Sequence, residues 1–186
     1  MFSNIISSDA QTIHKAFLQH TTTMKLILVS LLSCLSTIFQ AAGGVIPVLG
    51  FFISPLATAP IIVCTIISIR YGVLSYFTTI LLLFILQPSE LIVFPFTTGL
   101  LGLGIGCSFF VFKRRFSILF GGSTSLFLGI LSVLYIFKFP LLGPVASTSF
   151  NLYTTGSILL FSLLYSWFWI EISVTSFKRI KKKLAS

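Results

Sequence analysis

Side chains that could do chemistry are few in this chain, and most of them lie inside long apolar runs. Among 186 residues the acidic side chains are Asp9, Glu90 and Glu171, accompanied by two histidines and three cysteines. The sequence contains no Ser-His-Asp or Cys-His arrangement, no paired carboxylates and no His-Glu-x-x-His motif. General acid–base catalysis needs titratable groups that reach a reacting centre together. We therefore expect a protein that is not an enzyme and uses no cofactor.

The cysteines and histidines also lack the spacing of a metal site. Cys34, Cys64 and Cys107 form no Cys-x-x-Cys pair, so neither a zinc site nor a disulfide framework is indicated. His14 and His20 have no carboxylate or thiol at ligand spacing. We expect no metal ligands in this sequence.

The stretch GLLGLGIG, from Gly99 to Gly106, raises the alternatives of a phosphate loop and a packing helix. A dinucleotide fingerprint needs G-x-G-x-x-G with an acid about twenty residues later, and a P-loop ends in Gly-Lys-Ser/Thr. Neither pattern is present, and the next acid is Glu171. On a helix, Thr98, Gly102 and Gly106 share one face, and such small residues let membrane helices approach closely. The helix that packs there could belong to this chain or to a partner.

A second set of small residues lies in the first predicted span. Ser33, Thr37 and Ala41 share one helical stripe, and Ser30 and Cys34 form another beside it. Both stripes favour internal packing, with docking of a partner as the alternative.

The composition identifies the class of protein. Hydrophobic residues make up 56% of the chain and charged residues only 8%, whereas soluble domains carry about 25% charged residues. The recurring uncharged runs predict an all-α, multi-pass membrane protein without a separate soluble domain. The basic residues stand in short clusters at the ends of these runs, so no solvated surface for nucleic acid is expected.

The runs divide the chain into six predicted spans. Residues 1–23 form a cytoplasmic segment with a short interfacial helix, 24–177 a membrane domain, and 178–186 a basic tail. Three prolines predict a broken or re-entrant segment after the first span, near 44–53, followed by a kinked second span. Tight turns are expected at 70–72 and 87–90. The predicted spans are about 25–42, 54–69, 73–86, 91–112, 116–137 and 151–177.

The distribution of Lys and Arg sets the predicted orientation. Of the 12 basic residues, all except Lys138 fall at ends that a six-span model with a cytoplasmic N-terminus places in the cytoplasm. Cytoplasmic ends of membrane proteins carry such an excess. We therefore expect both termini to be cytoplasmic, in a multi-pass protein of the cytoplasmic (inner) membrane. Glu171 should lie at the cytoplasmic interface facing the terminal lysines, with a proton relay as the alternative.

The remaining polar residues gather at the predicted outer ends of the spans. Polar groups that converge on an apolar cavity are what a small-molecule site requires. The candidate substrate-binding residues are Gln40, Gln87, Glu90, Asn151, Tyr153 and Thr154.

Residues 54–106 resemble the YybS-like family of bacterial membrane proteins and, more distantly, the substrate-binding S components of energy-coupling factor (ECF) vitamin transporters. The shared features are a proline-bearing segment after the first span, the turn Arg70-Tyr71-Gly72, and a glycine-rich fourth span that ends in basic residues. The resemblance implies six helices and an outer pocket for a vitamin or micronutrient. It also implies docking to a transmembrane T component with two ATPases.

S components typically dock through an Ala-x-x-x-Ala pattern in the first span, where this chain has Ser30 with Cys34, or Ser33 with Thr37. The alternative function is that of a non-transporting membrane interaction or assembly protein. It would pack against a partner through the face of Thr98, Gly102 and Gly106.

Overall fold

The structure, a computed structural model, describes residues 14–15, 17, 19–46, 48–138 and 152–184. Within these ranges every regular element is a helix, and six helical stretches are long and apolar enough to cross a membrane. They are called the first to sixth spans below, and they confirm the predicted six-helix membrane fold. The spans are Thr22–Val45, Leu49–Ile67, Ile69–Leu86, Pro88–Val111, Arg115–Ile136 and Tyr153–Arg179.

Three of the spans are assembled from shorter helical pieces. The second contains helix Leu49–Ile53, 3-10 turn Ser54–Ala57 and helix Thr58–Ile67. The fourth contains 3-10 turn Pro88–Leu91, helix Val93–Phe96 and helix Thr98–Val111. The fifth is helix Arg115–Leu131 continued by the π-helix Ser132–Ile136. The sixth span lies within a longer helix, Leu152–Leu184, which continues into the basic tail.

The segment after the first span is a broken helix that forms part of the second span. The first helix continues to Val45, and the second span begins at Leu49. Gly50 allows the start of the second span to lie close to the first span, because a Cβ there would lie 2.8 Å from the carbonyl carbon of Ala42. The irregularity comes later, at Ser54–Ala57, where Pro55 occupies the first turn of the 3-10 segment. Helical backbone leads directly into Ser54, but Pro55 has no N–H to donate to the preceding turn, and the α-helix changes to a 3-10 turn there.

The tight turn predicted at Arg70, Tyr71 and Gly72 was wrong, because these residues lie within the third span. The chain reverses at a single extended residue, Ser68, with φ −167° and ψ 145°. Gly72 serves packing instead of turning, since a Cβ there would lie 2.7 Å from the Cα of Thr65 in the second span.

The glycine-rich helix of the fourth span packs against another helix of the same chain. A Cβ on Gly102 would lie 2.8 Å from the Cβ of Ile61, and one on Gly106 would lie 2.6 Å from Thr65 Cγ2. Gly102, Gly106 and Thr98 are buried, as expected for a packing face. The second span is therefore the helix that covers this face.

The two small-residue stripes of the first span have different surroundings. Ser33 and Thr37 are buried, and the Ser33 and Ser75 hydroxyls are 2.8 Å apart between the first and third spans. Ser30 and Cys34 are exposed on the surface of the helix bundle. Internal packing thus occupies one stripe and leaves the other accessible.

Basic residues gather at one end of the bundle. Lys25 and Arg70 line one depression there, and Arg115 forms an ion pair of 3.1 Å with Glu171. Glu171 therefore pairs with Arg115 of the fifth span, whereas the sequence predicted that it would face the terminal lysines. Lys138 lies at the opposite end, next to Phe137, whose ring is 5.0 Å from that of Phe96.

The separation of basic residues generates a topology prediction. In a variant whose Cys34, Cys64 and Cys107 are replaced by alanine, a cysteine at Lys138 should react with an impermeant maleimide in intact cells. A cysteine at the exposed Arg114 should react only after permeabilisation, because the basic end is expected in the cytoplasm. Labelling of Arg114→Cys but not Lys138→Cys in intact cells would show the reverse orientation.

Gly106 generates a stability prediction. Gly106→Ala should lower the free energy of unfolding by about 1–3 kcal/mol, because its methyl group overpacks the contact with Thr65. The matched control is Gly156→Ala in the sixth span, where a Cβ meets nothing within 4 Å. Both values can be measured by titration with a denaturing detergent. Equal stability of the two variants would contradict close packing at Gly106.

Candidate functional site

A cavity of about 260 Å³ opens between five of the six spans. The first, second, fourth, fifth and sixth spans all contribute side chains, and the third span lies behind them. Its polar lining residues are Gln40, Ser54, Thr97, Thr98 and Tyr165. Its apolar lining residues are Phe51, Pro55, Val93, Leu126, Ile130 and Phe161. The cavity is therefore mostly apolar, with a small number of hydrogen-bonding groups.

A chain of three side chains forms the polar edge of the cavity. Gln40 donates from Nε2 to Glu90 Oε2 at 2.8 Å, and its Oε1 accepts from Thr98 Oγ1 at 2.7 Å. Gln40 is fully buried, Thr98 is buried, and Glu90 is half-buried behind them. The bridge joins the end of the first span to the start of the fourth. It leaves both polar ends of the buried Gln40 carboxamide hydrogen-bonded.

The helix breaks determine which side chains face the cavity. Thr97, with φ −116° and ψ −94°, separates the two helices of the fourth span, and Thr97 and Thr98 both line the cavity. The 3-10 turn of the second span begins at Ser54, another lining residue. Irregular backbone at membrane depth is tolerated where protein or a cavity surrounds it.

Neighbouring side chains satisfy carbonyl groups at these breaks. Tyr76 in the third span donates to the carbonyl of Pro95 at 3.1 Å. Ser36 in the first span donates to the carbonyl of Ala57 at 2.9 Å. At each break, a side chain from another span therefore hydrogen-bonds the backbone. These bonds give the cavity walls a defined shape.

Glycines at the end of the first span make room for the polar edge. A Cβ on Gly43 would lie 3.1 Å from Ser54 Cβ and 3.4 Å from Glu90 Oε1. A Cβ on Gly44 would overlap the amide of Gln87. The glycine pair therefore lets the second and fourth spans approach the first span beside Glu90.

The sixth span adds buried polar groups behind the apolar wall. The hydroxyl of Tyr165 lies close to Thr58 and Trp169. Thr58 Oγ1 and Trp169 Nε1 are both buried, and neither makes a well-formed hydrogen bond within the described residues. Tyr165 thus connects the cavity wall to two buried groups that retain hydrogen-bonding capacity.

The structure brings together some of the residues expected in the site. Gln40 lines the cavity and holds Glu90 directly. Gln87 bonds to Ser89 at 2.9 Å on the exposed rim. Tyr153 is 86% exposed, and neither it nor the half-buried Thr154 lines the cavity. Asn151 lies outside the described residues.

Several lining residues were missed by the sequence analysis. Thr98 was expected only in helix packing, whereas its hydroxyl also belongs to the polar edge. Thr97, Ser54 and Tyr165 were not among the predicted site residues. The useful signal was the position of prolines, because Pro55 follows Ser54 and Pro95 comes two residues before Thr97.

A second depression, of about 280 Å³, lies at the basic end of the bundle. It involves only the fifth and sixth spans, and the Arg115–Glu171 pair forms its polar part. Both members are more than one-third exposed, with 39% and 41% of their side-chain surface accessible. Both depressions are open on one side. This one is lined by two spans, whereas the cavity beside Gln40 is lined by five.

Comparisons of the chain with protein-family models, with characterised proteins and with solved structures find no match. The function must therefore be argued from the geometry of the cavity. In the part of the chain that the structure describes, no three His, Cys, Asp or Glu side chains come together as a metal site requires.

The polar edge generates a prediction about Gln40. Gln40→Leu should lower the free energy of unfolding by about 1.5–3 kcal/mol, because the half-buried Glu90 then loses its hydrogen-bond donor. The matched control is Gln87→Leu, which removes an exposed hydrogen bond and should change stability by at most about 0.5 kcal/mol. A denaturing-detergent titration measures both. A loss at Gln87 as large as that at Gln40 would contradict this account of the bridge.

Proposed function

We propose that this protein is a membrane-embedded binding subunit for the uptake of a small molecule, of the S-component type. The ligand belongs to the vitamin or micronutrient class and enters from the side of the membrane opposite the basic end. In this role the chain binds and releases its ligand without chemical change. It therefore acts as neither an enzyme nor a cofactor protein.

The observation that carries this proposal is the cavity at the meeting point of five spans. Small-molecule sites have volumes of about 300–1,000 Å³ and are mostly apolar with a few placed polar groups. The cavity, of about 260 Å³ with Gln40, Thr97 and Thr98 on one edge, lies just below that range and has the same mostly apolar character. The broken helices beside it are also typical of substrate sites in transporters.

The proposed energy source is a transmembrane T component with two ATPases. The S-component resemblance implies docking through the first span, and an accessible stripe is available there. Ser30 and Cys34 are exposed, with Leu31 beside them 64% exposed. Small residues on an exposed face permit close approach of a partner helix.

The alternative role, a membrane interaction protein, finds less support. It relied on the face of Thr98, Gly102 and Gly106, and the second span already packs on the two glycines. A partner would have to use another face. The alternative explains neither the cavity nor the polar edge.

The proposal predicts that the cavity carries a ligand through purification. Mass spectrometry of the detergent-purified protein should find a small molecule that Val93→Phe removes, because the larger side chain fills the lining. The matched control is Val111→Phe, the same change at the far end of the fourth span, where Val111 is 69% exposed.

Uptake of the identified molecule into cells should follow the same pattern. It should fall at least about tenfold in Val93→Phe, a change equivalent to roughly 1.4 kcal/mol, and stay near the wild-type rate in Val111→Phe. A molecule retained equally by both variants, or uptake unaffected by either, would refute the proposal.

A further inference from the structure

We infer that the ligand of this cavity is a small, mostly apolar molecule that carries a hydrogen-bond donor group. The donor that suits the cavity best is a protonated amine. The inference rests on the proposed function and adds the chemical class of the substrate. It is carried by the directions of the hydrogen bonds at the polar edge and by the charge placed behind it.

The hydroxyl protons of Thr97 and Thr98 are already committed. Thr97 Oγ1 donates to the carbonyl of Val93 at 2.7 Å, and Thr98 Oγ1 donates to Gln40 at 2.7 Å. A hydroxyl has one proton and two acceptor lone pairs. Both threonines therefore retain only acceptor capacity towards the cavity. They complement an N–H or O–H group of a ligand and offer nothing to a carboxylate.

The charge behind the polar edge acts in the same direction. None of the described residues that line the cavity is Lys, Arg, Asp or Glu. Glu90 is one hydrogen bond behind it, because its Oε2 accepts from Gln40 at 2.8 Å. A carboxylate behind a weakly polar wall attracts a cation and repels an anion more strongly than it would in bulk water.

Lys138, the basic residue at this end of the bundle, does not cancel the effect of the Glu90 charge. Lys138 is exposed and does not line the cavity. Opposite charges exposed to water are screened and contribute little. The remaining described cations of the spans, including Arg70 and Arg115, belong to the other end of the bundle.

The rest of the cavity defines the apolar part of the ligand. Phe51, Leu126, Ile130 and Phe161 form its walls. A volume of about 260 Å³ is smaller than typical drug-sized sites. The ligand is therefore compact, with one ring system or a short branched chain attached to the donor group.

Three probes that share a phenyl ring and a short linker but differ in their polar group can test this class: 2-phenylethylamine, 2-phenylethanol and phenylacetate. Binding is measured by calorimetry on the full chain in lipid nanodiscs. The amine should bind about tenfold or more tightly than the alcohol, and the acid should bind weakest. Glu90→Gln keeps an acceptor for Gln40 but removes the charge, so the amine should lose most of its advantage over the alcohol.

Two further variants separate charge from hydrogen bonding. Glu171→Gln is the same chemical change at the basic end of the bundle and should leave the amine preference intact. Thr97→Val keeps the shape of the side chain but removes one acceptor, so both amine and alcohol should bind more weakly. The unfolding temperature of each variant checks that it is folded.

The outcomes also distinguish this inference from the proposed function. Phenylacetate binding as tightly as the amine, or no binding by any probe, would overturn the ligand class. The proposed function would survive either result if mass spectrometry still found a co-purified molecule sensitive to Val93→Phe. Amine binding unchanged in Glu90→Gln would also overturn the class, as would a phospholipid or detergent as the sole occupant of the cavity.

Discussion

A helix inside a bilayer has no water to hydrogen-bond its backbone, so every interruption must be satisfied by another part of the protein. In this chain the first and third spans supply partners at the interruptions of the second and fourth. Ser36 reaches the carbonyl of Ala57, and Tyr76 reaches that of Pro95. These contacts permit broken helices within the bundle, and the cavity lies between the two breaks.

Close packing and open space are distributed along the fourth span in a definite order. Towards the basic end, Gly102 and Gly106 bring it against Ile61 and Thr65 of the second span with no room for a side chain. Towards the other end, the break at Thr97 coincides with the cavity lining. Tight contact at one end of a helix pair and a gap at the other suit a binding protein, because the packed end holds the walls of the gap in place.

The charges divide between the two ends of the molecule with different consequences. At the basic end, the Arg115–Glu171 pair is partly exposed, and such pairs contribute little to stability. At the other end, Glu90 is held by the buried Gln40, and its charge lies beside the cavity. One acidic side chain thus takes part in a partly exposed ion pair, whereas the other is held by a buried amide beside the cavity.

The sequence by itself determined the membrane class, the number of spans and the segregation of basic residues. These properties follow from apolar run length and the positions of Lys and Arg, which act locally along the chain. Residue spacing also predicted the packing face of Gly102 and Gly106, because helical periodicity puts them on one side whatever the partner. It could not identify that partner as the second span.

Only the tertiary structure decided where the chain reverses and which polar residues meet. The break at Ser68 rather than at Gly72 depends on how closely the third span approaches Thr65. Gln40 and Thr98 are 58 positions apart, and their hydrogen bond exists because the first and fourth spans are neighbours. Contacts between distant segments depend on the packing arrangement of all six helices, and no local pattern in one sequence records that arrangement.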